Sequence, residues 1–217
     1  MTPIPEAGTA LLTLSQWLSP AFPVGAFAYS HGLEWVIASG EVRDAEGLHD
    51  WVADILAHGA GRSDAILLAH ALRRDADFDA LSDLALALAA SAEREREMLE
   101  QGAAFAHATN ALTGQGHPVR PLPVAVGAAA RGLGLPPPLV LALFLQGFAG
   151  NLVSVAVRFV PLGGVEGQGV LARLRPLMGA LAREAAEAPL DAIGTAVFRA
   201  DLAAMRHETM SPRMFRT

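Results

Sequence analysis

The 217-residue chain contains no cysteine. Disulfides, thiolate metal centres and cysteine nucleophiles are thereby excluded. Lysine is absent too, so all 16 basic residues are arginine. A phosphate-binding loop needs its lysine and a Schiff-base enzyme needs its amine, and neither is available. Any nucleotide hydrolysis linked to this protein is expected to fall to another chain. Charge is scarce: 18% of residues are charged against 52% hydrophobic. A chain this apolar must bury much of its surface, within itself or against partners. The net charge of −6 argues against nucleic acid as the main partner. Met1 to Pro5 carries no basic residue and Glu6 precedes a short apolar run, which predicts no secretory leader, and the absence of cysteine is compatible with the expected cytoplasmic location.

What is present is helical in pattern. Leu48, Trp51, Val52, Ile55 and Leu56 follow the spacing of a core-facing stripe, with Asp44 placed to cap their helix. Leu81, Leu84, Ala85 and Leu88 repeat it. The periodicity predicts helices over 8–18, 30–39, 45–59, 63–73, 78–88, 90–112, 123–132, 137–159, 170–187 and 195–207. Thr113 to Pro123 and Pro161 to Gly169, rich in Gly or Pro, read as loops. The expected fold is all-α: one bundle of about ten helices over residues 1–205, followed by a tail over 206–217. Pro212 and three arginines, Arg206, Arg213 and Arg216, set that tail apart, and it is expected to be mobile when alone. The run from Gly132 to Val157 has no charge and is long enough to span a bilayer. Gln146, Asn151 and Ser154 interrupt it, and a buried helix of a soluble protein is the expected state. Gly147, Gly150, Asn151 and Ser154 form a small-residue stripe that admits a second helix, from this chain or another copy.

The residues that carry chemistry are scattered. No two of His31, His49, His58, His70, His107, His117 and His207 are three or four apart, so no helix face offers a histidine pair to a metal. Ser30 and His31 are adjacent, as are His207 and Glu208, and helical neighbours diverge. No nucleophile elbow occurs. Glu93, Glu95, Glu97 and Glu100 alternate with Arg94 and Arg96, which reads as a solvated, self-paired helix face. Glu34 near a helix start has two readings, dipole stabilisation or a charged contact on a partner. Arg158 ends the uncharged run, with its stem on apolar surface and its head in water or on an acid. A small helical hydrolase or metal enzyme using Glu34 with His31 or His207 is the rival class.

The most distinctive stretch runs from Ser19 to Glu34, with Pro20, Pro23 and Gly25 fixing the backbone beneath Phe22, Phe27 and Tyr29. A loop this stiff and apolar is either tucked into its own core or offered to another protein. Its pattern, S-P-x-F-P-V-G-x-F-x-Y-S-x-G-L-E, resembles the N-terminal signature of the UreF family of urease accessory proteins. Arg206-His207-Glu208-Thr209 and Arg213-Met214-Phe215-Arg216-Thr217 resemble that family's C-terminus, although Ser211-Pro212 departs from the tyrosine-serine expected there. Gly102-Ala103-Ala104-Phe105 and Val157-Arg158-Phe159-Val160-Pro161-Leu162-Gly163 are similar to it in between. The resemblance implies a non-enzymatic nickel-insertion chaperone component with no intrinsic cofactor or metal, nickel and GTP being handled by the complex. It implies bridging of UreD (also called UreH) and the GTPase UreG on the way to apo-urease, and a homodimer. It implies partner contacts at Pro23, Gly25, Tyr29, Ser30, Gly32, Glu34 and Arg158 toward UreG. Arg206, His207, Glu208, Arg213, Phe215 and Arg216 belong to the segment implied to dock on UreD, with Met214 and Phe215 as apolar anchors.

Overall fold

The computed structural model describes residues 6–216 apart from Pro161 and Thr195, and only the backbone of Asp201. The expectation about Met1 to Pro5, the start of the 161–169 loop, the start of the 195–207 helix and the last tail residue, Thr217, lie outside the described residues. Among the described residues ten α-helices follow one another: α1 (Glu6–Trp17), α2 (Leu33–Ala38), α3 (Ala45–His58), α4 (Ala60–Ala71), α5 (Phe78–Ala87), α6 (Ala92–Thr113), α7 (Leu122–Ala130), α8 (Pro137–Phe159), α9 (Gly164–Glu187) and α10 (Phe198–Glu208). Three short 3-10 turns join them, and no strand occurs among the described residues. The fold is an all-α bundle.

Local chemistry sets the boundaries. Asp44 accepts the Gly47 N–H at 2.9 Å and starts α3, whose stripe Leu48, Trp51, Val52, Ile55 and Leu56 is wholly buried. Ser91 accepts the Arg94 N–H at 3.1 Å and starts α6. Among the starts that differ from the sequence pattern, two have a visible cause. Helix α2 begins at Leu33 rather than residue 30, because His31 (φ 51) and Gly32 (φ 73) are both left-handed and break any earlier turn. Helix α9 begins at Gly164, inside the predicted loop, where the Glu166 carboxylate accepts the Gly163 N–H at 2.8 Å. One glycine there serves close packing: a Cβ on Gly167 would lie 2.7 Å from Cγ2 of Val157.

Helix α8 is the spine. It packs along α9 and against α2, α3 and α4, burying Val140, Leu141, Phe144, Leu145, Ala149, Leu152, Val153, Val155 and Ala156. It is the one described helix long and apolar enough to cross a membrane by length and composition. That inner face belongs to the main core; Leu139, Ser154 and Arg158 face outward. Helix α10 crosses α2, and the tail then returns over the 26–34 loop. The division expected after residue 205 falls inside α10, which runs unbroken to Glu208.

Candidate functional site

The charged run on α6 is not the solvated face that its alternation suggests. Glu93 and Glu97 are 5% and 3% exposed. They share a helix face with Met98, Gln101, Phe105 and Ala106, all buried, so the polar seam continues an apolar stripe. Three other segments close on it: the 29–34 loop, α10 and the tail.

At the centre lies His207, with no exposure at all. Its Nε2 meets Glu34 at 2.8 Å and its Nδ1 meets Glu93 at 3.3 Å. Both contacts are donated when both ring nitrogens carry hydrogen. Glu34 also receives the tail: Oε1 accepts the Met214 N–H at 2.8 Å and Oε2 the Phe215 N–H at 3.0 Å. Burial opposes ionisation of Glu34, but His207 and these two N–H groups outweigh it and hold the carboxyl below its usual range. Glu93 accepts from Arg213 at 2.5 Å. Glu100 takes the Tyr29 hydroxyl at 2.5 Å and the Arg216 guanidinium at 2.6 Å. Burial, and then the Glu100 carboxylate, push the Tyr29 phenol up to about 12.

A second ionic group lies deeper. Arg94 bonds Asp64 and stands 3.0 Å from Glu97, which also meets His31 Nε2 at 3.1 Å and accepts from Gln101 at 2.9 Å. The His31 ring lies 4.8 Å from that of Phe148. Burial pushes the Asp64 carboxyl up despite Arg94. For Glu97 burial acts in the same sense, yet His31 and Arg94 prevail and bring it to about 2. Cavities of about 70 Å³ lie on either side, and His31, Asp64 and Arg94 line both.

This fixes a pH dependence. Glu97 ordinarily titrates at 4.5 and in the fold at about 2. Its stabilisation is complete above 4.5 and is lost as pH falls toward 2. The difference is worth on the order of 3 kcal/mol. Asp64, raised, works in the opposite sense. Glu97→Gln is expected to be less stable at pH 7 and to show a flatter acid limb than the parent in denaturant melts between pH 5 and 2. An acid limb unchanged by the substitution would contradict the assignment.

The structure brings together most of the residues singled out in the sequence. Tyr29, Ser30, Glu34, His207 and Phe215 are buried, while Arg213 and Arg216 reach inward from an exposed segment. Gly32 is held there twice over: its φ is left-handed, and a Cβ would lie 2.7 Å from the Ala204 N on α10. Gly25 takes φ 71 before the 26–28 turn. Arg206 is exposed and stacks over Trp35 at 4.7 Å. Pro23 and Glu208 are exposed, and Arg158 stands exposed at the end of α8, apart from the hub. The stiff loop is only partly tucked into its own core: Phe22 and Tyr29 are buried, and Phe27 is 62% exposed.

The two tail anchors separate. Phe215 is 6% exposed with its ring edge-on to Phe159 at 5.2 Å, whereas Met214 is 70% exposed. Helix α10 turns Phe198, Leu202 and Met205 to solvent. Sequence reasoning missed this face, although its i, i+4, i+7 spacing is visible.

As chemistry, the hub closes on itself. Glu34 and His207 are the pair that the enzyme reading requires. A general base, however, needs a ring nitrogen open to substrate, and His207 has a carboxylate on each and no exposed surface. Among the described residues one cluster of three metal-capable side chains occurs elsewhere, Glu46, His49 and Asp50 on α3, with ligand atoms within 4.8 Å of one another. Arg173 already bonds both Glu46 oxygens, at 2.8 and 2.9 Å.

Comparison with known proteins gives one answer. The UreF family model matches residues 42–175. A urease accessory protein UreF of Cereibacter sphaeroides is 68% identical over 208 residues, covering 96% of this chain and 99% of the relative. Those of Roseobacter denitrificans and Paracoccus denitrificans are 53% and 52% identical, covering 96% and 98% of this chain and 94% and 98% of the relatives.

Proposed function

The chain belongs to the UreF family, and from that premise we propose that it is a non-catalytic urease accessory protein of the cytoplasm. In this reading it joins a UreD/UreH-type protein to a UreG-type GTPase, so that nickel reaches apo-urease with GTP turned over by UreG. Nickel and GTP are cargo and fuel of the complex rather than cofactors of this chain. Two copies pair to match a two-fold GTPase dimer.

One observation carries the reading to particular residues. The hub seats the tail so that Phe215 is inside and Met214 outside, and α10 separately turns Phe198, Leu202 and Met205 to solvent. Large exposed apolar side chains grouped this way are the usual mark of a protein interface. This surface is assigned to UreD/UreH. The buried network orders it beforehand, which reduces the entropy lost on binding. Phe27 and Arg158, both exposed, are assigned with the loop from Pro23 to Glu34 to the UreG side. To influence UreG, the assembly must bind one nucleotide state more tightly than the other.

The test uses co-expression with UreD/UreH- and UreG-type proteins. Met214→Asp, with Leu202→Asp as a second variant, is expected to weaken co-purification of the UreD/UreH-type partner at least tenfold while helix content stays at the parent value. Deletion of residues 211–217 is expected to abolish it. Arg158→Ala is expected to spare that pairing and reduce UreG-dependent urease activation. Undiminished capture by both aspartate variants would remove α10 and Met214 from the interface.

A further inference from the structure

The tail lies in its groove as a bound peptide lies in a receptor. Three of its main-chain N–H groups are recognised by the body: Met214 and Phe215 by Glu34, and Arg216 by the Ala28 carbonyl at 2.7 Å. Its side chains find separate sites: Arg213 on Glu93, Phe215 against Phe159, Arg216 on Glu100. Main-chain bonds supply grip and side-chain pockets supply register, the division of labour in extended-peptide recognition.

The groove's recognition groups are also held from behind. Glu34 and Glu93 are gripped by His207, and Glu100 by Tyr29. None of these supports belongs to residues 211–216. The recognising carboxylates therefore keep their positions when the tail leaves, and a site built this way is preorganised for its ligand. Its chemistry is specific: three acidic groups for two guanidinium ions and two amides, with an aromatic wall between them.

We infer that this groove is a receptor for an extended Arg-x-Phe-Arg peptide, which the chain's own tail fills in cis and which the same segment from another molecule can fill in trans. Only residues 209–212 separate the end of α10 from Arg213. A tether that short gives the tail an effective concentration on the order of millimolar, so a free peptide at micromolar concentration competes poorly with the intact chain. The groove has this capacity whatever partners the chain serves.

The probe is a fluorescent peptide of residues 210–217, measured by anisotropy against full-length proteins. Phe215→Ala removes the cis anchor, and the peptide is expected to bind this variant at least tenfold more tightly than the parent. Adding Glu34→Gln to Phe215→Ala is expected to weaken the peptide tenfold or more, as is replacing the peptide's own phenylalanine with alanine. Should Phe215→Ala prove unfolded, the exposed double variant R213A/R216A loosens the tail without touching the core and is expected to behave alike. A folded, tail-weakened variant with no saturable binding overturns the inference. So does equal binding to parent and variant, which would put the peptide elsewhere.

Discussion

Replacing Glu34 with glutamine is expected to lower the melting temperature by roughly 6–20 °C. The side chains are nearly the same size, so packing is spared and charge is the variable. Glu34 is the common acceptor for His207, the Met214 N–H and the Phe215 N–H. The amide retains one oxygen for the three and turns an NH₂ group toward donors. Removing one partner from a buried ionic network leaves the others unpaired in a poorly solvating interior, at about 3–5 kcal/mol. For a chain of this length each kcal/mol shifts the midpoint by about 2–4 °C. Two readouts separate this from a general weakening. Limited proteolysis is expected to clip the tail of the variant first. Glu95→Gln, on the exposed side of the same charged run, is expected to change stability by less than about 0.5 kcal/mol. If Glu34→Gln melts within a degree of the parent, the hub is not holding the tail.

Gly102→Ala is expected to destabilise by about 3 kcal/mol or more, against the trend for its residue type. In an open helix the same change gains up to about 1 kcal/mol, because alanine loses less backbone freedom. Gly102 sits in the middle of α6 where the chain entering α7 crosses it. An added Cβ would lie 1.8 Å from the Arg120 carbonyl oxygen and 2.9 Å from the Leu122 N. These are backbone atoms and cannot swing aside, so the start of α7 must lift from α6. Gly169→Ala supplies the opposite sign. Gly169 lies within α9 and a Cβ there meets nothing within 4 Å, so the variant is expected to be as stable as the parent or more so. Chemical denaturation of both variants decides the matter, and a neutral Gly102→Ala would mean that the α6–α7 crossing yields.

The helices were legible because their information is local. The span predicted as 137–159 is Pro137–Phe159, and that predicted as 45–59 is Ala45–His58. Where local signals misled, the tertiary structure supplied the missing term. The glycine-rich run after residue 161 reads as loop until α8 is placed against Gly167. Ser30 and His31 read as helix until the left-handed pair at 31 and 32 is seen. The site was half legible. The motif residues of the loop and the C-terminus stand out in sequence, but their meeting does not, since Glu34 and His207 are 173 residues apart. The charged run on α6 was misread for the same reason. Its alternation of sign fits a solvated face equally well, and the distinguishing clue was its phase: Glu93, Glu97 and Gln101 share the face of Met98 and Phe105.

The chain has a single tyrosine, and the fold spends it beneath the tail. Buried, and with its hydroxyl on Glu100, Tyr29 keeps its proton to about 12, against 10 for a free phenol. Arg216 of the tail acts in the opposite sense, so near-ultraviolet absorbance of phenolate in moderately alkaline solution comes from molecules in which Tyr29 has left its buried place on Glu100. The protein carries its own optical gauge of that opening of the 26–34 loop, readable without a label and undiluted by any other tyrosine.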